Sequence, residues 1–510
     1  MLVSESPELI DLLVIGGGIN GVGIAADAAG RGLSVRLIEK GDLASGTSSK
    51  STKLIHGGLR YLEFYEFGLV RKALLEREVL CQAAPHIIKP LAFTIPQLAN
   101  SRPALLLRAG LFLYDFLAKS KIFPRSRAVN FDVTAGSPFV AGIKHGFEYW
   151  DAQVDDSRLV ILNAQQAHAK GAKISTYTEC IGLLEGEFEW VASLRDTVSG
   201  DETQLRARAV VNASGPWVAQ LLENFFFEPP PLAARLVKGS HIIVPKLHDG
   251  SEAFMLQHYD GRVVFVIPYL EEYSLIGTTE AEVGGSLDDV EISEDEIEYL
   301  IEVSNSYFKR KLSRDDVVAT YSGVRPLIDE EGKDATRVSR DYRLESREGK
   351  YPLISVYGGK VTTYRKLAED VMHSLEDVFS NLGKAWTKTA TLPGGTYANE
   401  SALASELRAL APWLEESLLT RWMRSYGSTA KVILRGVASL EDLGEHFGHG
   451  LYAREIDYLI SNEWARSAGD ILWRRSKLGY HFKQDEVERM ASYVRQRVSS
   501  MTPERGVRSD

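Results

Sequence analysis

Residues 11–39 read DLLVIGGGINGVGIAADAAGRGLSVRLIE. The apolar, β-branched runs at 11–15 and 33–39 are typical of buried strands. Between them, apolar residues from 22 to 28 recur at helical spacing, and Gly30 ends the pattern. A strand, a helix and a second strand within about 30 residues form the unit that begins a doubly wound parallel sheet.

The turn between the first strand and the helix contains a G-x-G-x-x-G fingerprint at Gly16, Gly18 and Gly21. Gly16 permits the tight turn, Gly18 lets a pyrophosphate approach the backbone, and Gly21 lets the helix pack closely on its strand. The helix N-terminus points its positive dipole end at the phosphates, and Glu39 is placed to accept a hydrogen bond from a ribose hydroxyl. The unit predicts an adenine dinucleotide site but leaves NAD and FAD open, because both cofactors use it.

Two later turns favour FAD. VVNASGPW (210–217) places Ser214 and Gly215 after an apolar strand, and VYGGKVTT (356–363) places Gly358, Gly359 and Thr362 between a strand and a helix. A helix N-terminus at the second turn can stabilise the negative charge of a reduced flavin ring, which a nicotinamide does not require. These five residues join the fingerprint and Glu39 as candidate cofactor-binding residues.

Length and composition limit the remaining possibilities. The 510 residues suffice for roughly two to four domains, and 44% hydrophobic with 25% charged residues is typical of a soluble globular protein. A net charge of −10 gives no overall basic surface for nucleic acid. Cys81 and Cys180 suit a reducing compartment and lack metal-ligand spacing. We therefore expect no metal site. Because the N-terminus has no positively charged leader, we also expect a cytoplasmic protein.

The hydrophobic pattern predicts further elements: helices over 60 to about 120, 158–170 and 294–312, strands through most of 172–280 and over 352–357, and helices from 402 to 498. The runs 263–267 and 274–277 are separated by a short charged turn and are predicted to form a hairpin. Pro393, Gly394 and Gly395 are the strongest linker signal in the chain, so a domain boundary is predicted there.

Longer motifs resemble those of a known family. They are SSKSTKLIHGGLRYLE (48–63), residues 237–245, YSGVRPL (321–327) and residues 358–366. On these motifs, and on 11–39, the chain resembles the FAD-dependent glycerol-3-phosphate dehydrogenases, in particular their aerobic, respiratory bacterial members. The resemblance extends from residue 9 to about residue 500.

This resemblance implies an α/β fold, α+β overall, with three parts. They are a Rossmann-like FAD-binding domain of D-amino-acid-oxidase type, a β-rich substrate-capping region and a C-terminal helical domain. The predicted FAD-dependent oxidoreductase domain is 1–390, with FAD-binding elements at about 9–65, 205–220 and 350–375 and the capping region at about 220–345; the helical domain is 391–510.

The implied reaction oxidises sn-glycerol 3-phosphate to dihydroxyacetone phosphate by hydride transfer to FAD, with electrons passed on to membrane quinone. Such a site needs cations for the phosphate and a base for the C2 hydroxyl. Arg325 lies at the end of an apolar run, and a charged side chain there is unfavourable if the run packs in a core. Arginine can bind two phosphate oxygens at once, so it suits a substrate phosphate. Lys360 lies near a helix start, where the dipole disfavours a cation unless an anion is present. His241 enters an apolar strand, where a lone histidine is more often structural; the resemblance implies instead the general base, a role that suits histidine near neutral pH. We predict these three as catalytic.

Other roles rest on the resemblance alone. Arg60 and Tyr61 are implied substrate contacts, although by themselves they read as the start of a surface helix. Arg340 is a weaker substrate candidate, because a charge pair with Asp341 or Glu345 explains it almost as well. The hydroxyl run Thr47, Ser48 and Ser49 is implied to contact the phosphates and ribityl chain of FAD, and His56 is either structural or adjacent to the flavin.

Residues 102–127 combine leucine, phenylalanine and tyrosine with six basic residues. Arg108 and Asp115 interrupt the apolar run, so no transmembrane span is predicted. The segment is either a buried helix with basic ends or a surface patch that meets anionic lipid and brings quinone close to the flavin. The second reading predicts peripheral association with the inner face of the cytoplasmic membrane.

Three alternatives and the oligomeric state stay open at this point. An oxidase on the same scaffold would pass electrons to oxygen, an NAD-linked dehydrogenase would lack flavin, and a non-catalytic flavin-binding protein would have degenerate site residues. A homodimer is compatible with the sequence.

Overall fold

A computed structural model of the chain describes residues 8–98, 102–131, 137–227, 232, 234–287, 289–328 and 341–501. The helices are α1 Ile19–Gly30, α2 Phe67–Ala83, α3 Ala104–Ala118, α4 Asp156–Ala169, α5 Val218–Phe226, α6 Glu294–Tyr307, α7 Tyr364–Ser374, α8 Glu400–Leu410, α9 Glu416–Tyr426, α10 Ala430–Ile433, α11 Ala453–Glu463 and α12 Gln484–Met501. The strands are β1 Leu9–Ile15, β2 Val35–Ile38, β3 Leu54–Ile55, β4 Ile88–Pro96, β5 Arg127–Asn130, β6 His145–Val154, β7 Lys173–Ser175, β8 Thr178–Glu185, β9 Trp190–Asp196, β10 Glu202–Asn212, β11 Ala234–Pro245, β12 Ala253–Gln257, β13 Val263–Tyr269, β14 Tyr273–Gly277, β15 Ala281–Glu282, β16 Ala319–Ile328, β17 Arg343–Ser346, β18 Leu353–Tyr357, β19 His446–Gly448 and β20 Leu451–Tyr452.

The first sheet is the doubly wound unit predicted from residues 11–39. Strands β18, β10, β1, β2 and β7 lie side by side and parallel, with β17 antiparallel at one edge. Leu12 and Val14 of β1 pack in one core with α1, α4 and α7, whereas Leu13 and Ile15 pack in another with β8, β9 and α5. Because both faces are covered, the strand is apolar at every position from Leu12 to Ile15. The predicted Rossmann-like fold is confirmed.

The second sheet runs in the order β15, β11, β14, β13, β12, β4, β6, β3, with β16 beside β11 and β5 beside β6. The predicted hairpin is present, since Val266 of β13 pairs with Ile276 of β14. Four of its ten strands come from residues 54–154, well before the 220–345 region in which the β-rich cap is predicted. The helical prediction for 60 to about 120 is wrong over β4, whose pairing with β6 and β12 overrides the local pattern. Helix α6 ends at Tyr307 rather than 312.

The C-terminal part has a separate apolar core built from α8–α12 around Trp422 and Leu459. The prediction of helices throughout misses the short β19–β20 hairpin. Buried ion pairs join this part to the first sheet: Arg475 binds Asp42 through two hydrogen bonds, and Arg158 binds Glu463 in the same way. Among the described residues, no helix has both the length and the apolar character needed to cross a membrane.

Candidate active site

A cavity of about 1030 Å³ lies between the two sheets. Its floor is formed by the carboxyl ends of β1, β2, β10 and β18, and its roof by β11 and β16 of the second sheet. The carboxyl edge of a parallel sheet, where the strand order reverses, is the expected ligand site of this fold. The three predicted catalytic residues and most of the predicted cofactor residues therefore line one cavity, whose lining residues lie between 15 and 362 in the sequence.

The glycine fingerprint packs as the motif requires. A Cβ on Gly16 would lie 2.5 Å from the carbonyl oxygen of Ala213, and a Cβ on Gly21 would collide with the carbonyl oxygen of Gly16. Gly16 and Gly18 line the cavity, whereas Gly21 lies behind it and acts through helix packing. The backbone N–H of Ile19, at the start of α1, donates to Ser48 Oγ over 2.9 Å. A hydroxyl from the 47–49 turn thus meets the helix terminus that is expected to face phosphate.

Glu39 lies at the end of β2 and lines the cavity. Its carboxylate accepts the backbone N–H of Gly17 over 2.7 Å and that of Gly41 over 2.9 Å. Burial raises the pKa of Glu39 above its usual value, and the two backbone donors oppose that shift. The two bonds fix the carboxylate where a ribose hydroxyl can donate to it.

The glycine turn after β18 also lines the cavity, next to the start of α1. Gly358 and Gly359 have φ angles of +74° and +98°, which favour glycine. Asn20 Nδ2, on α1, donates to the carbonyl oxygen of Gly358 over 3.2 Å. Asn20 Oδ1 is buried and has no hydrogen-bond partner within the described residues. An acceptor left without a donor beside the glycine turn fits a cofactor that supplies one.

The other predicted cofactor residues differ in how they meet the cavity. Thr47, Ser48, Ser214, Gly215 and Thr362 all line it. Ser49 does not; its carbonyl oxygen instead accepts a hydrogen bond from Lys53 Nζ over 2.9 Å. Glycine backbone at a helix N-terminus, an acidic residue after β2 and hydroxyls between them fit FAD.

His241 projects from β11 into the roof of the cavity. Its Nε2 lies 3.0 Å from Thr52 Oγ1, and its ring stacks on Tyr321 with centroids 4.8 Å apart. Nδ1 is buried without a hydrogen-bond partner in the described part of the chain. Burial, assisted by the positive charges of Arg325 and Lys53, holds the pKa of His241 well below its usual value. The imidazole is therefore neutral near pH 7 and able to accept a proton.

Arg325 reaches the cavity across the neighbouring strand. It lies opposite Val237, and its guanidinium passes Gly239 so closely that a Cβ there would lie 2.5 Å from Nη2. Nη2 donates to Thr278 Oγ1 over 3.3 Å, and Nη1 lies 3.8 Å from Glu280 Oε1. Gly239 was missing from the sequence prediction, although it lies two residues before His241 in the motif 237–245.

Lys360 and Tyr61 contact each other at the edge of the cavity. The Lys360 ammonium lies 4.2 Å from the centre of the Tyr61 ring, which is a cation–π contact. Both residues line the cavity, as does His56. Arg60 does not line it, and its Nε is buried without a partner among the described residues. Arg340 lies outside the described residues.

Five lysine and arginine side chains line the cavity: Lys40, Lys50, Arg195, Arg325 and Lys360. Burial lowers the pKa of Lys50, and Arg474 contributes to that shift. Lys50 and Thr52 were missed as site residues, although both lie within the quoted motif 48–63. A cationic wall beside a neutral histidine can hold a small anion and remove a proton from it.

Comparison with known proteins identifies two matched regions. Residues 11–365 match the family of FAD dependent oxidoreductases, and residues 385–504 match the C-terminal domain of alpha-glycerophosphate oxidase. The chain is 51% identical to a glycerol-3-phosphate dehydrogenase of Pseudomonas aeruginosa, covering 96% of this chain and 95% of the relative. It is 48% identical to the aerobic glycerol-3-phosphate dehydrogenase of Escherichia coli, covering 96% and 99%.

Two further proteins are similar to this chain in sequence or in structure. A D-erythritol 1-phosphate dehydrogenase of Brucella abortus is 48% identical, covering 94% of this chain and 96% of the relative. The crystal structure of a glycerol-3-phosphate dehydrogenase from Bacillus halodurans complexed with FAD superposes with a TM-score of 0.72 at 25% identity, covering 97% and 95% of the two chains. The fold and the cofactor, FAD, are shared.

Proposed function

This chain belongs to the FAD-dependent glycerol-3-phosphate dehydrogenases, and we propose that it oxidises sn-glycerol 3-phosphate to dihydroxyacetone phosphate and passes the electrons to membrane quinone. The observation that carries the proposal is the meeting of His241, Arg325 and Lys360 at one cavity whose other end fits FAD. A non-catalytic protein has no need for a neutral buried histidine beside two cations.

In this proposal the cations hold the substrate and His241 takes its hydroxyl proton. Arg325 and Lys360 bind the phosphate and the C2 oxygen, with Tyr61 supporting the ammonium of Lys360. The flavin supplies the acceptor for the C2 hydride when it is bound. Burial is the main cause of the depressed pKa of His241, and the charges of Arg325 and Lys53 add to it. An anion bound at Arg325 offsets that added part, so substrate binding makes the imidazole a stronger base.

The substrate class is tested by flavin bleaching without any electron acceptor. Anaerobic enzyme is mixed with sn-glycerol 3-phosphate, with its enantiomer, with glycerol and with D-erythritol 1-phosphate. We expect bleaching by sn-glycerol 3-phosphate at low concentration and weak or no bleaching by glycerol, because glycerol offers the cations no phosphate. Preferential bleaching by D-erythritol 1-phosphate would assign the relative's substrate to this chain instead.

The quinone acceptor is supported by the outer face of α3. Leu105 and Phe112 are 83% and 71% exposed, and Leu106 and Phe116 are also exposed. The same helix buries Leu107, Leu111 and Tyr114, so it is buried on one face only. Exposed basic residues surround the apolar face: Arg108, Lys119, Lys121 and Arg125. An apolar face of this kind with basic neighbours suits insertion into an anionic lipid surface.

Membrane contact at α3 would hold the enzyme peripherally at the inner face of the cytoplasmic membrane, where quinone is dissolved. The test is co-sedimentation with anionic vesicles, together with turnover assays using a short-chain quinone and using oxygen. We expect binding that salt weakens without abolishing it, because the apolar contribution is not screened. Peroxide formation as fast as quinone reduction, with no vesicle binding at low salt, would favour an oxidase.

A further inference from the structure

The inner face of α3 reaches the loop that carries a predicted substrate contact. Tyr114, on the buried side of this helix, accepts a hydrogen bond from the backbone N–H of Gly57 over 2.9 Å. The same N–H lies 3.3 Å from Asp151 Oδ1. Gly57 precedes by two residues the 3₁₀ helix Leu59–Phe64, which carries Tyr61. Tyr114 does not line the cavity, but it is hydrogen-bonded to the backbone segment that leads to Tyr61, which does.

Tyr114 is itself oriented by a buried ion pair. Its hydroxyl donates to Asp151 and lies 2.9 Å from both carboxylate oxygens, and Arg77 Nη1 donates to Asp151 Oδ1 over 2.6 Å. All three side chains are almost inaccessible to solvent. In such surroundings a polar network is rigid, because any partner that loses its bond stays buried and unsatisfied. The Tyr114 proton therefore points at Asp151, and an oxygen lone pair is left for Gly57.

The packing at Gly57 leaves no room for a shift. A Cβ on Gly57 would lie 2.5 Å from both Tyr114 Oη and Leu74 Cδ2. Downstream, the N–H of Tyr61 donates to the carbonyl oxygen of Gly58 over 2.9 Å, and the Tyr61 ring faces the Lys360 ammonium. Displacement of Gly57 is therefore transmitted to the ring against which Lys360 is held.

We propose that Tyr114, held by Asp151 and Arg77, is a positioning residue that sets the affinity of the site for its anionic substrate through Gly57 and Tyr61. The proposal rests on the proposed function for the identity of that substrate. It predicts a change in binding without a comparable change in the chemical step, because His241 makes its side-chain contact with Thr52 and is not part of this network.

The test compares Tyr114→Phe with the matched control Tyr149→Phe. Tyr149 is also buried, with its ring centre 5.9 Å from that of Tyr114, but its hydroxyl contacts the weak acceptor Met255 Sδ at 3.6 Å. Anaerobic stopped-flow flavin reduction gives the limiting rate and the apparent Kd for sn-glycerol 3-phosphate. For Tyr114→Phe we expect the apparent Kd to rise about tenfold, the effect of losing the neutral hydrogen bond with Gly57, while the limiting rate changes less than about threefold. Tyr149→Phe should leave both values near wild type.

Two additions keep the outcome interpretable. Gly57→Ala places a methyl group against Tyr114 Oη, so it disturbs the same contact and should also raise the Kd. This variant tests the proposal if the Tyr114→Phe protein fails to fold. Titration of the flavin absorbance with inorganic phosphate measures anion affinity without turnover. If sn-glycerol 3-phosphate does not reduce the wild-type flavin, the proposed function fails, and the phosphate titration still tests positioning. An unchanged Kd in Tyr114→Phe, an equal rise in Tyr149→Phe, or a fall confined to the limiting rate would each overturn the positioning role.

Discussion

Arg325→Lys keeps a positive charge in the cavity but removes the planar pair of donors, so it separates the charge of this residue from its geometry. The Arg325 guanidinium extends past Gly239 to within 3.3 Å of Thr278 Oγ1. A lysine ammonium at this position cannot offer two parallel bonds to one anion. Loss of the second charge-assisted bond is worth about 2.7 kcal/mol, so kcat/KM is expected to fall about 100-fold with FAD retained.

Arg325→Met adds the complementary measurement. The positive charge of Arg325 contributes to the depressed pKa of His241, so removing that charge raises the pKa. A base with a higher pKa stays protonated, and therefore inactive, up to a higher pH. The acid limb of the kcat/KM profile should accordingly move to higher pH in Arg325→Met and stay in place in Arg325→Lys.

The assay for both variants is anaerobic flavin reduction across a pH series, with released FAD measured after denaturation. Arg314→Lys is the control, because Arg314 is an exposed arginine that binds Glu294 through two hydrogen bonds, and neither residue lines the cavity. Wild-type reduction rates in Arg325→Lys would refute the assignment of Arg325 to the substrate. An acid limb that moves equally in both variants would refute the electrostatic link to His241.

His241→Gln preserves a hydrogen-bonding side chain but no base, and should slow flavin reduction by at least ~100-fold with FAD retained; an unchanged rate would exclude His241 as the base. Arg475→Met removes two hydrogen bonds from buried Asp42 and leaves Arg474 as its remaining ion-pair partner. It should cost about 1.5–3 kcal/mol of stability and weaken FAD retention, because Asp42 lies in the turn after Glu39. Thermal unfolding followed by flavin fluorescence measures both effects, and an unchanged midpoint would contradict the estimate. Phe112→Ser on the outer face of α3 should weaken sedimentation with anionic vesicles while leaving anaerobic flavin reduction unchanged, and undiminished sedimentation would count against membrane contact there.

Local sequence was sufficient for the dinucleotide half of the site. The first strand, the glycine turn, α1 and Glu39 are contiguous, and each is specified by near neighbours: apolar runs form strands, glycines permit the close approach at Gly16, and the acid ends β2. Helix α4 and the β13–β14 hairpin were predictable for the same reason. The catalytic assignments to Arg325 and Lys360 combined local arguments with motif resemblance, and that to His241 depended on the resemblance. The structure brings the three side chains to one cavity.

Contacts between residues distant in sequence could be identified only from the tertiary structure. Strand β4 is stabilised by β6 and β12, which follow it by about 50 and 160 residues, so its own pattern did not distinguish it from the helices around it. The Asn20 bond to Gly358, the passage of Arg325 over Gly239 and the Tyr114 bond to Gly57 likewise join separate elements. A sequence pattern reports the preferences of neighbouring residues, whereas these contacts depend on where the packed elements place the side chains, and that is determined only when the whole core is assembled.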